Sequence, residues 1–185
     1  LTDPDRIVPG SVLRLRFGDQ EWETAQIRAQ ALAAYNQGVD LLAQDRLAEA
    51  ETQFRVALDT APGLASAQYN LGLVLLKRGQ PDQALPLLQE LTERRPEDPD
   101  FHFACGNALF LLVRFDEAVE QFDLALALQP DHKRADFGLA RSLQEGGRIE
   151  RARTAWLSYL ELDDVSSWAD TARRTLRKLD NDASE

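Results

Sequence analysis

The sequence predicts an all-α array: four helix-turn-helix repeats closed by a C-terminal capping helix. Three observations carry that expectation. Pro62, Pro96 and Pro130 recur every 34 residues, and Gly38, Gly72 and Gly106 do the same. The columns Ala50, Ala84, Ala118, Ala152 and Leu41, Leu75, Leu109, Leu143 keep that interval in phase, as does Phe54, Leu88, Phe122, Trp156. Inside each unit the apolar spacing is helical. In the second, Leu71, Leu75 and Leu76 precede "KRGQP", and Leu85, Leu88 and Leu91 follow it.

Taken in chain order, residues 1–18 read as an extended arm or the end of a preceding domain. "SVLRLRFG" alternates Leu13, Leu15 and Phe17 with Arg14 and Arg16, a strand pattern that has no partner strand in the chain. Asp19 suits the N-cap of a long helix that runs into the first repeat. The array occupies 19–164, with repeats at about 31–64, 65–98, 99–132 and 133–164. In the second repeat Gly79 suits the end of the first helix. Pro81 suits the first position of the second, where its missing N–H is no loss. Pro86 removes one backbone bond from that helix and predicts a mild kink. Each closing proline biases its predecessor away from the helical region. In the segment 165–180, Trp168, Ala172, Leu176 and Leu179 share one helical face, while Arg173, Arg174, Arg177 and Lys178 stand on another. This is the expected capping helix, its basic side either solvated or turned to an acidic partner. Residues 181–185 are expected to fray.

The recurring residues resemble the tetratricopeptide repeat. Leu71-Gly72, Leu75, Ala84, Leu88 and Pro96 fit it in the second unit, and Gly38, Leu41, Ala50, Phe54, Ala57 and Pro62 in the first. Cys105-Gly106, Leu109, Ala118, Phe122, Ala125 and Pro130 fit it in the third. The resemblance covers residues 31–164 and implies a right-handed α-α superhelix. There are departures. Ala34, Gln68, His102 and Asp136 stand where the family carries an early tryptophan. The fourth unit has Ala140 for glycine, Tyr159 for a small residue and Asp164 for the closing proline, which predicts looser packing there. "DPDRIVPGSVLRL" resembles the closing stretch of a LysM domain, which implies a parent protein of the bacterial cell envelope. The alternative is an arm folded onto the array.

Composition narrows the function. The chain carries 31 acidic and 21 basic residues, a net charge of -10, with the excess confined to residues 1–132. That argues against binding nucleic acid or an anionic membrane, whose partners need surplus Lys and Arg. No apolar run reaches the roughly 18 residues of a membrane span. One cysteine, Cys105, excludes an intramolecular disulfide. There is no methionine, so the chain reads as a fragment or a processed product, and cytoplasm and cell envelope both stay open as its compartment. Chemistry is sparse. His102 and His132 lack metal-ligand spacing, Cys105 sits on an apolar helix face, and the pairs Asp116-Glu117 and Asp163-Asp164 lie at helix ends. No catalytic, cofactor or metal site is expected.

An interaction surface is. The family resemblance implies that the first helix of each repeat lines a concave groove. Carried onto this sequence, the groove residues are Tyr35, Asn36, Tyr69, Asn70, Phe103, Asn107, Arg134, Phe137 and Arg141. Tyr35, Tyr69, Phe103 and Phe137 keep the 34-residue interval. Rings supply contact area at little entropic cost and amides can bond a peptide backbone. Tyr followed by Asn is also common in repeats of this family, so Tyr35-Asn36 and Tyr69-Asn70 are equally read as family habit, the surface then serving self-assembly or contact with neighbouring domains. The expected function is a noncatalytic scaffold that binds a peptide or protein segment. The alternative is a self-assembling homo-oligomeric structural or assembly-factor protein of the cell envelope. A chaperone-tail adaptor is disfavoured. Its carboxylate clamp would need Lys, Arg and Asn at Tyr35, Val39, Asn70, Asp100 and Ala104, where only Asn70 fits. One repeat later the places are Tyr69, Leu73, Ala104, Arg134 and Gly138, where only Arg134 fits.

Overall fold

A computed structural model describes the backbone of residues 11–182 and the side chains of residues 20–181. Among the described residues there are nine α-helices and no strand: α1 (Ser11–Ala43), α2 (Leu47–Thr60), α3 (Ala65–Lys77), α4 (Pro81–Arg94), α5 (Pro99–Leu111), α6 (Phe115–Leu128), α7 (Lys133–Glu145), α8 (Ile149–Leu162) and α9 (Ser167–Asp182). Helices α1, α3, α5 and α7 open the four repeats, α2, α4, α6 and α8 close them, and α9 is the capping helix. The fold is an all-α repeat solenoid. Two compact units divide within α3, one ending at Leu71 and the other beginning at Gly72.

The strand expected at 11–18 is instead the start of α1, a helix of 33 residues. A lone strand leaves its N–H and C=O groups unpaired, whereas a helix bonds them internally, and Ser11–Ala43 holds no proline to interrupt it. Asp19 therefore lies inside the helix and is no N-cap. The LysM resemblance is not borne out: the strand it requires is helical, and residues 1–10 lie outside the described part. At the other end, α9 runs to Asp182, past the expected start of the tail, and 183–185 lie outside the described residues.

Glycine permits the close approach of the two helices in a repeat. A Cβ at Gly38 would stand 2.6 Å from the Phe54 ring, at Gly72 2.7 Å from Leu88, and at Gly106 2.8 Å from Phe122. Those partners are fully buried, with Ala50, Ala84 and Ala118 beside them. In the C-terminal unit Phe122 is pressed from a second side, since a Cβ at Gly138 would meet its ring at 2.6 Å.

The turn inside each repeat is also periodic. Asp45, Gly79, Val113 and Gly147 all have positive φ, at 57°, 70°, 61° and 74°. In each repeat two bonds close the first helix. In the third, Val113 N–H donates to the Phe110 carbonyl and Arg114 N–H to that of Leu109, each at 3.0 Å. This is a Schellman closure, which needs a left-handed residue at its centre. Glycine supplies it twice; aspartate and valine supply it under strain.

Ala61, Arg95 and Gln129, each before a proline, have φ of -139°, -140° and -136°. Asp163 adopts -147° with no proline after it. Its carboxylate does the work instead, accepting the Val165 and Ser166 N–H groups at 3.4 and 3.2 Å and the Tyr159 hydroxyl at 2.7 Å. The fourth repeat is therefore well packed, contrary to expectation. Trp156 and Tyr159 are almost fully buried in it. The Trp156 indole N–H donates to the Gln144 side-chain amide oxygen Oε1 at 3.1 Å. Pro86 lies inside α4, which continues through it.

Candidate functional site

In the C-terminal unit α5, α6, α7 and α9 surround an open pocket of about 380 Å3. Helix α5 contributes Phe103, Asn107 and Phe110, spaced i, i+4, i+7 along one face. Helix α7 contributes Arg134, Phe137, Gly138 and Arg141 in the same manner, and α9 adds Trp168 and Thr171 one turn apart. Phe122 of α6 completes the lining. Five of the nine expected groove residues thus meet here: Phe103, Asn107, Arg134, Phe137 and Arg141.

Each wall is held in place by identifiable bonds. Asp98 caps α5, its carboxylate accepting the Asp100 N–H at 3.1 Å. His132 caps α7: its Nδ1 accepts the Ala135 N–H at 3.1 Å. The ring proton is therefore on Nε2, which faces Asp100 Oδ1 at 3.4 Å. The imidazole also packs on Phe103, centroid to centroid 5.0 Å. Ser166 caps α9, its hydroxyl oxygen accepting the N–H groups of Trp168 and Ala169 at 3.1 and 3.2 Å. Asp163 holds Ser166 in turn. The Ser166 and Tyr159 hydrogen bonds keep the Asp163 carboxyl well below the usual carboxylate range. Phe137 is gripped by Trp156, Tyr159 and Trp168 at 5.0, 5.3 and 4.8 Å.

The pocket is aromatic within and cationic at its rim. The Arg134 guanidinium lies 4.8 Å from the Phe103 centroid, and that of Arg141 4.5 Å from Phe110. Arg134 also donates to Asp100 at 3.0 Å. No acidic side chain lines the pocket.

The other four expected residues lie in the N-terminal unit. Tyr35 is half-buried, its ring 5.9 Å from Phe54, and its hydroxyl accepts from Asn70 Nδ2 at 3.2 Å. Tyr69 is also half-buried and Asn36 is exposed. Here Tyr35 and Asn70 are engaged within the unit, with Phe54 and with each other. Phe103 too is more buried than a groove residue is expected to be, at 8% exposure, with one face on Phe122.

Sequence reasoning missed Phe110, Trp168 and Thr171. Trp168 had one legible signal, a large aromatic at the start of the capping helix, but the sequence spacing assigns it to that helix's apolar face; it is 46% exposed. The basic side of that cap is largely engaged locally. Arg173 pairs with Asp170 and the Asp164 carbonyl, and Arg174 and Arg177 donate to backbone carbonyls one turn back. Cys105 is buried as expected, and burial pushes its thiol up to about 11. His102 is buried between the Gln121 side chain at 2.9 Å and the Pro96 carbonyl at 3.0 Å. Among the described residues no group of three or more His, Cys, Asp or Glu is placed to hold a metal, and no helix is long and apolar enough to cross a membrane.

Models of the tetratricopeptide repeat match residues 31–55, 69–132 and 114–167. The chain belongs to the tetratricopeptide-repeat family. Among curated relatives, this TPR chain is 31% identical over 128 residues to the Protein O-mannosyl-transferase TMTC3 of Homo sapiens, covering 67% of the chain and 14% of the relative. It thus spans about a seventh of that protein's length. Among solved structures it is similar to YrrB, described as a TPR protein with an unusual peptide-binding site. The TM-score is 0.71 at 27% identity, covering 89% of this chain and 86% of the other. It is also similar to MamA of AMB-1, with a TM-score of 0.66 at 30% identity over 71% and 78% of the two chains.

Proposed function

We propose that this TPR protein is a noncatalytic scaffold that binds a peptide segment of a partner protein, and that the C-terminal pocket is its principal binding site. One observation carries the reading. Helices α5, α7 and α9 leave an open pocket lined by aromatic rings, and a large side chain, Trp168, stands half in water at its edge. Partly exposed aromatics beside a concavity favour burial against a ligand. The likeness to YrrB supports the same direction. The groove expected along Tyr35, Asn36, Tyr69 and Asn70 contributes less, because Tyr35 and Asn70 already bond each other.

The test is an array of immobilised peptides probed with the protein and with the Trp168→Ala variant. Peptides held by the parent and released by the variant, with helical circular dichroism unchanged, support the reading. Equal binding by both defeats it.

Self-assembly is the second reading, favoured by the exposed apolar residues Leu157 and Val165 near the end of the array. Sedimentation that shows only monomer at high concentration removes it.

A further inference from the structure

Given that peptide-binding reading, the charges around the pocket define what the peptide must carry. The chain has a net charge of -10, yet no carboxylate lines this pocket and two guanidiniums stand at its rim. Arg141 is exposed and stacked over Phe110, and no carboxylate among the described residues is paired with it. Arg134 is stacked over Phe103 and shares Asp100, in a pair whose two members are each about half exposed. Such a pair is worth about 0–1 kcal/mol and yields readily to another carboxylate. Stacking fixes each guanidinium in its plane and turns its N–H edge to donate to a planar anion.

The two positions differ by seven residues on one helix, two turns, so they are about 10 Å apart. Between them lie Phe137 and Gly138 of α7, across from Phe103, Phe110 and Trp168. An extended peptide covers about 10 Å in three residues.

We propose that the pocket selects an internal acidic segment of a partner protein, in which a large apolar side chain enters the aromatic pocket and two carboxylates about three residues apart meet Arg134 and Arg141. A chain terminus carries one carboxylate and engages one guanidinium alone, so an internal segment fits better. Lysine or arginine beside the apolar residue is repelled. Arg141 is the specificity-determining residue, since of the two rim charges it is the one that no carboxylate among the described residues pairs with.

A displayed library of random twelve-residue peptides, selected on the whole protein and counter-selected on Trp168→Ala, tests this. The expected yield is enriched in Leu, Phe or Trp flanked by Asp or Glu. Anisotropy with an enriched peptide should show about a tenfold loss of affinity when either acid is made an amide, a loss of that size for Arg141→Gln, and further weakening with added salt. The peptide whose Arg141-facing acid is made an amide should bind Arg141→Gln and the parent alike. Enriched peptides that are neutral or basic, or Arg141→Gln binding the acidic peptide as tightly as the parent, overturn the acidic class and leave the pocket reading standing. Enrichment indifferent to Trp168 overturns the pocket reading itself. A dimer of the free protein that Trp168→Ala dissolves assigns the pocket to a second copy of the chain and overturns the proposal.

Discussion

The N-terminal and C-terminal units use the same columns of the repeat for different ends. Tyr35 and Phe103 occupy equivalent positions, and both rings pack on the buried aromatic of the following helix, Phe54 and Phe122. In the first unit the polar atoms are then consumed internally, Asn70 donating to the Tyr35 hydroxyl. In the second, Phe103 and Phe137 have no hydroxyl to satisfy, Ala104 and Gly138 follow them where Asn36 and Asn70 follow the tyrosines, and α9 brings Trp168 against Phe137. A column position therefore does not make a binding residue. The chemistry of its neighbours decides whether it closes the core or remains open to a ligand.

The largest expected effect tests the shared part of the comparison. Phe122→Ala should destabilise by about 3–5 kcal/mol, because the ring fills the space between Gly106 and Gly138 and a cavity remains. Phe54→Ala, whose ring is pressed by one glycine among the described residues, Gly38, should lose less, at the low end of that range. Urea denaturation of the two variants measures the difference. An equal loss would mean that the second glycine contact does not matter.

A charge confined to the second unit comes next. Asp136 is buried on α7, and Oδ2 has no hydrogen-bond partner. Burial pushes its carboxyl up to about 6, opposed by a hydrogen bond from Ser158. The folded state thus binds the proton more tightly than the unfolded chain. This stabilising contribution is complete below about pH 4, the ordinary aspartate range, and is lost as pH rises through about 6. Asp136→Asn should raise stability by about 2 kcal/mol at pH 8 and leave it unchanged near pH 4. Melting temperatures across that range check the sign. A gain independent of pH would remove the ionisation as its cause.

The repeat register was legible because packing repeats. Gly38, Gly72 and Gly106 each face a large side chain one helix later, so the close approach wrote itself into the sequence at fixed spacing. The turn column was only half legible. Gly79 and Gly147 announced their left-handed conformation and Asp45 gave a weaker signal, but Val113 adopts it with none, because closure of the helix imposes it. The pocket was half legible for a different reason. Its α5 and α7 residues lie in the repeat frame, whereas Trp168 lies beyond the last full repeat and is placed by the Asp163–Ser166 turn. At the N-terminus the alternation of Leu13, Leu15 and Phe17 misled because period alone ignores whether a strand has anything to pair with.

Val113 extends the comparison to the turns. Its φ of 61° is one that a β-branched side chain rarely adopts, and it is 69% exposed, so nothing in the core compensates. Val113→Gly should stabilise by about 1 kcal/mol: the strain relieved exceeds the added freedom of the unfolded chain. The reverse change at the equivalent turn, Gly79→Val, should destabilise by a similar amount. If Val113→Gly is instead neutral or harmful, the exposed valine contributes something that the turn geometry does not explain.

The smallest expected effect separates the two units most cleanly. Tyr35→Phe deletes one hydroxyl and leaves the half-buried Asn70 amide without that acceptor, a loss of about 0.5–1 kcal/mol in stability. Binding at the C-terminal pocket should not change, because that hydroxyl is spent inside its own unit. Trp168→Ala reverses the pattern. The side chain is half exposed and contacts Phe137 on one face, so stability should fall by no more than about 1 kcal/mol while peptide binding is lost. Calorimetry and peptide anisotropy on both variants give four numbers. If Tyr35→Phe weakens binding as much as Trp168→Ala does, the ligand also uses the N-terminal repeat. The contrast between a closed aromatic column and an open one then fails at its first member.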